Sequence, residues 1–139
     1  MFEEIGELLG WLIVVSFAGT ILNYCVKYVN IKWGKKIRAN ANGKKVMTFL
    51  LKVFVRNHKY FGISAALFML LHFIIQFSKY GIVWTGCIAA ALIIFQALLG
   101  ITATVKKFPR KGAWFMTHRF IAVLIILGIA YHLIAPFSL

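Results

Sequence analysis

Four stretches of this chain, residues 8–26, 58–78, 82–105 and 113–137, stay apolar for about the 20 residues that a helix needs to cross a bilayer. A soluble core could not absorb them, because 62% of the 139 residues are hydrophobic. In lipid, every backbone N–H and C=O must find its partner within the segment, so such runs become helices. The second run extends back to Val46, since Val46, Met47, Phe49, Leu50, Val53 and Phe54 keep it apolar. Helices are therefore expected over 8–26, 46–78, 82–105 and 113–137. The expected fold is all-α, an integral membrane four-helix bundle that occupies residues 1–139 as a single domain.

A net charge of +13 would suggest nucleic acid in a soluble protein, but the placement of the charges argues otherwise. Ten of the sixteen Lys/Arg lie between Lys27 and Lys59, and five more between Lys106 and Arg119. Only Lys79 falls between the second and third spans, while Glu3, Glu4 and Glu7 precede the first. Basic loops stay in the cytoplasm, so both termini and the short Ser78–Gly81 turn are expected outside. No nucleic-acid partner is expected. The first span has an acidic leader and no small-residue cleavage site, so it reads as an anchor and not as a signal peptide. The Lys32–Lys45 stretch reads as a solvated basic connector that fixes topology. Its second reading is a docking surface for an acidic redox partner or anionic headgroups.

Inside these runs sit four histidines, His58, His72, His118 and His132, in two pairs with the same spacing of fourteen residues. On a helix that spacing falls about 40° short of four full turns, so each pair shares a face, and it rises about 21 Å. NHKYFGISAALFMLLHFI at 57–74 aligns without gaps on THRFIAVLIILGIAYHLI at 117–134. Both helices run from the cytoplasm outward, so matching histidines reach matching depths. His58 with His118, near the cytoplasmic face, and His72 with His132, in the outer leaflet, form the arrangement that holds two stacked haems. Each iron would take one imidazole from each helix. A compact zinc site fails, because ligands about 21 Å apart along one helix cannot share an ion. With no Cys-x-x-Cys-His motif, the two b-type haems would be held non-covalently.

Glycines follow the same interval. Gly86 and Gly100 on the third span are also fourteen apart, and could allow close approach near the outer and inner haems respectively. Gly62 and Gly128 lie one turn from His58 and His132. Small-residue helix packing is the plainer reading of such glycines. Gly6, Gly10 and Gly19 on the first span show no such interval. Lys59 and Arg119, with Arg56, Lys107 and Arg110, gather where inner-haem propionates would emerge. Gln76 and Gln96 read as interhelical glue in preference to a quinone pocket, and Tyr80 and Trp84 as interfacial anchors.

Two helices bearing His-x13-His, second and fourth in a four-helix membrane bundle, resemble the di-haem b-type cytochromes. The N-terminal bundle of respiratory cytochrome b is similar, including the glycines fourteen apart on the intervening helix. The starts His58-Lys-Tyr-Phe-Gly62 and His118-Arg-Phe also resemble ferric reductase-like transmembrane domains. The resemblance covers nearly the whole chain. It implies transmembrane electron transfer through two bis-histidine haems, from a cytoplasmic-side donor or quinol to an outward-side acceptor.

Further helices of respiratory cytochrome b, and the flavin and nicotinamide domain of ferric reductase relatives, have no counterpart in these residues. A separate redox protein or quinone is therefore the expected partner, in membrane lipid, with an oligomer or larger complex compatible. The expected location is a bacterial or archaeal plasma membrane, multi-pass. The alternative is a stand-alone quinone-linked oxidoreductase that reduces ferric iron or oxidises superoxide. A small proton-coupled exporter ranks far behind, since the chain has no Asp and no Glu after Glu7.

Overall fold

The computed structural model describes residues 2–138; the side chains of Phe2 and Glu3, and both ends of the expected 1–139 domain, lie outside the described residues. Every regular element among them is helical: α1 (Phe2–Ile37), α2 (Ala41–Leu50), a π-helical segment (Leu51–Arg56), α3 (His58–Tyr80), α4 (Trp84–Val105) and α5 (Ala113–Ile134). Four helices are long and apolar enough to cross a membrane, namely Glu4–Ile37, His58–Tyr80, Trp84–Val105 and Ala113–Ile134. They fit a multi-pass membrane protein. Within their most apolar windows only 11% of α3 and α5 and 17% of α4 is buried by the chain, which leaves most of that surface for lipid.

The first helix runs well past the expected end at residue 26. Lys27, Lys32, Lys35 and Lys36 end its apolar character but are good helix formers, and Lys35 and Lys36 sit in the last turn, where cations favour the helix dipole. At 36 residues α1 is about 54 Å long, more than the bilayer core of about 30 Å. The expected Lys32–Lys45 connector shrinks to 38–40. Asn40 caps α2, its side-chain oxygen accepting from the Gly43 N–H at 2.7 Å. A Cβ on Gly43 would collide with the Ile37 carbonyl, so this corner needs glycine.

The expected continuous helix over 46–78 is replaced by three pieces. It begins earlier, at Ala41, widens into the π-helical segment, and is interrupted at Asn57 (φ −96°, ψ 9°). Hydrophobic periodicity carries no mark of such a change, because apolar residues populate both sides of it. Gly81 adopts φ 69° in the turn before α4, a conformation that glycine takes without strain. The fourth span stops at Ile134, short of the expected 137. Ala135 leaves helical geometry (φ −139°, ψ 63°), and Pro136 has no N–H to continue the ladder.

The chain divides into two compact units. In Val14–Ala65, the Phe61 ring covers Gly19 and stacks on Phe54 with centroids 6.0 Å apart and planes at 16°. Met47 is fully buried. The other unit comprises α1 up to Ile13 and everything from Ala66 onward. There α4 and α5 pack backbone to backbone, and a Cβ on Gly128 would lie 3.8 Å from the Cα of Ala89. Ala89, Ala90, Ile93, Ile121 and Ile125 are buried.

Candidate functional site

His72 lies two-thirds of the way along α3, and its ring meets the first turns of α1. Its Nδ1 is 2.9 Å from the Gly6 carbonyl oxygen. A carbonyl can only accept, so Nδ1 carries the proton and donates. This leaves Nε2 as a bare lone pair. Glycine at position 10 gives the ring room, since a Cβ there would sit 3.4 Å from His72 Cε1.

His132, near the end of α5, is anchored in a parallel way by a different partner. Its Nδ1 is 2.9 Å from Oγ1 of Thr85 in the first turn of α4. The same hydroxyl donates to the Pro136 carbonyl at 2.7 Å. A hydroxyl has one proton to give, so toward His132 it must accept. His132 is therefore also protonated on Nδ1 and bare on Nε2. A Cβ on Gly86 would lie 3.1 Å from His132 Cε1, tighter than ordinary van der Waals contact.

The two rings have centroids 6.5 Å apart and planes at 88°. Two metal–imidazole bonds of about 2 Å, plus about 1.1 Å from each ligating nitrogen to its ring centre, come to about 6.2 Å. The separation thus fits two imidazoles across one metal ion. Between the helices of this unit opens a narrow cleft of ≈ 70 Å³, well below the usual size of a small-molecule site. Both histidines line it, with Met69, Phe73, Ile93 and Gly86 among mainly apolar neighbours. Two imidazole rings thus face one apolar cleft.

His118, on α5, is half-buried against α4. A Cβ on Gly100 would stand 3.7 Å from its Cε1. Gln96 Nε2 donates to the His118 backbone carbonyl at 2.9 Å, which makes Gln96 the interhelical tie expected of it. The Trp114 ring lies 6.3 Å from the imidazole, held by its indole N–H on the Pro109 carbonyl at 2.8 Å. His58 opens α3 within Val14–Ala65 and is half-buried. Beside it Asn57, Tyr60, Phe61 and Ser64 line a second, more open cleft.

Gly86 and Gly100 both face imidazole rings, but only at Gly86 would a Cβ crowd the ring; at Gly100 it would stand at ordinary contact distance. A Cβ on Gly62 would meet nothing within 4 Å. Gly128 packs on α4 and is small-residue helix packing. Lys59 and Arg119 are both exposed, Lys59 Nζ 4.9 Å above the Tyr60 ring and the Arg119 guanidinium carbon 5.8 Å from the Phe115 ring centre. Gln76 lines the outer cleft and packs over Gly6.

Sequence reasoning did not find Gly6, Gly10 and Thr85. Gly6 acts through a backbone carbonyl, which no residue type announces. For Thr85 the sequence offers only a polar side chain at the edge of a span. Its signal is only that a residue 2% exposed at the start of an apolar helix carries a hydroxyl in need of partners.

Among the described residues no three His, Cys, Asp or Glu side chains gather where they could hold one metal ion together. Comparison with protein-family models, curated proteins and solved structures returned no match.

Proposed function

We propose that this chain carries electrons across a membrane through two b-type haems, one ligated by His72 and His132 and the other by His58 and His118. One observation carries the reading: His72 and His132, with rings 6.5 Å apart, each have Nδ1 committed to an acceptor and Nε2 bare. Core histidines that merely satisfied one another would be expected to share a proton. Here each turns to a separate acceptor, as imidazole ligands do when the other nitrogen binds a metal. The assignment of His58 and His118 rests on the repeated fourteen-residue interval in the sequence.

A haem held by these histidines would supply a one-electron ferric/ferrous couple. The chain's own residues do the rest. Gly6 and Thr85 orient the two imidazoles through Nδ1. Gly10 and Gly86 leave the space those rings occupy. Met69, Phe73 and Ile93 give the cleft an apolar lining. Lys59 and Arg119 are the cations we assign to propionates on the cytoplasmic side, where the positive loops belong. Electrons then pass between a cytoplasmic-side donor or quinol and an outward-side acceptor.

The test is direct. Protein purified in detergent should show two b-type haems per chain by the pyridine haemochrome assay. His72→Ala and His132→Ala should each lose the same one, and His58→Ala and His118→Ala the other. A colourless protein, or haem content unaffected by all four substitutions, would overturn the proposal.

A further inference from the structure

The acceptors behind the two outer-leaflet histidines differ in kind. His72 donates to a backbone carbonyl, which substitution cannot remove. His132 donates to a side chain, Thr85, whose own proton is spent on Pro136. We infer that Thr85 is a positioning residue that locks His132 in its Nδ1–H tautomer and sets the electron-donor strength of the bare Nε2.

The argument is proton accounting. Thr85 is 2% exposed, so water cannot stand in for either partner. Its oxygen lies 2.7 Å from a carbonyl that can only accept and 2.9 Å from an imidazole nitrogen that can do either. The single hydroxyl proton must go to the carbonyl, and the imidazole must supply the other. Giving its proton to Pro136 polarises the hydroxyl and makes its oxygen a stronger acceptor. A stronger acceptor behind Nδ1 makes Nε2 a better donor to whatever it ligates.

Three elements meet at this one atom: the first turn of α4, the last turn of α5, and the non-helical residue Pro136 beyond it. Without the hydroxyl, nothing would hold the proton on Nδ1. The tautomer protonated on Nε2 would place a hydrogen where a ligating lone pair is needed.

The consequence for an iron rests on the proposed function; the tautomer itself does not, so the two can fail separately. Protein without haem, labelled with ¹⁵N-histidine, reports each ring's tautomer by NMR, with the His132 signals assigned by their loss in His132→Ala. Wild type and Thr85→Ser should hold His132 as Nδ1–H, whereas the isosteric Thr85→Val should shift it toward Nε2–H.

In haem-loaded protein, Thr85→Val should raise the potential of one haem only. We expect the ferrous form to be favoured about tenfold, 59 mV for a one-electron couple, with Thr85→Ser close to wild type. His132 found as Nε2–H in the wild type, or a Thr85→Val protein with unchanged tautomer and potential, would overturn the inference. If the protein binds no haem yet the tautomer depends on Thr85, the lock stands and the proposed function falls.

Discussion

Replacing Gly86 by alanine would put a methyl carbon 3.1 Å from Cε1 of His132, where carbon–carbon contacts settle at about 3.5–4.0 Å. Something must yield by at least about 0.4 Å. The imidazole is the mobile side of this contact, and it is tethered by a 2.9 Å hydrogen bond to Thr85. If the ring takes up the movement along that bond, the separation grows to about 3.3 Å, past the usual limit for such a bond. The loss is then about 0.5–1.5 kcal/mol, which on the proposed function is about a 2- to 12-fold weaker hold on haem at this site.

Helix propensity pulls the other way. Alanine in place of glycine stabilises a helix by no more than about 1 kcal/mol, less this close to the start of α4. The Gly86→Ala protein should therefore melt no earlier than wild type without haem, yet, if the proposed haems are bound, surrender one of them faster to excess apomyoglobin. Gly100→Ala is the control, because its methyl would stand at an ordinary 3.7 Å from His118 Cε1 and should leave haem retention unchanged. Equal haem loss from both variants, or none from Gly86→Ala, would refute the reasoning.

Other expectations follow from the same geometry. Gly19→Ala places a Cβ 2.6 Å from Cδ1 of Phe61, a ring already stacked on Phe54, and should destabilise the protein by about 1–3 kcal/mol in thermal melts. Adding Phe61→Leu should recover part of that loss, and simple additivity of the two would contradict the contact. With imidazole planes at 88°, the ferric His72/His132 haem should give a strongly anisotropic low-spin electron paramagnetic resonance signal; a signal typical of parallel imidazoles from both haems would contradict the geometry. Alkaline phosphatase fused after Ser138 should be active outside the cell, and a fluorescent protein inserted near Lys111 should glow inside. The reverse pattern would overturn the orientation read from the lysines and arginines.

The four spanning helices were legible because lipid imposes one rule on every residue of a span, and a run of apolar side chains records it. Their ends were less so. Lys27 to Lys36 mark where α1 becomes polar, but the backbone continues as helix to Ile37 regardless of what surrounds it. The π-helical stretch and the break at Asn57 lie in residues whose apolar pattern is indifferent to whether a turn holds one residue more. At the candidate site, the histidines and the glycines at 86 and 100 announced themselves by an interval that a helix turns into a shared face. Gly6, Gly10 and Thr85 announced nothing, since a carbonyl, an empty Cβ position and a hydroxyl's single proton act through three-dimensional proximity to residues on other helices.

The widened turn at Leu51–Arg56 bears on how this chain can vary over generations. A π-helical turn accommodates about one residue more than an α-helical turn. A single-codon deletion within 51–56 can therefore be absorbed by tightening that turn to α-helical geometry, with His58 still at the start of α3. The same deletion between His58 and His72 has no slack to draw on and would swing the two imidazoles about 100° apart in azimuth. Length variation among descendants of this sequence should thus collect before His58 and be absent between the histidines.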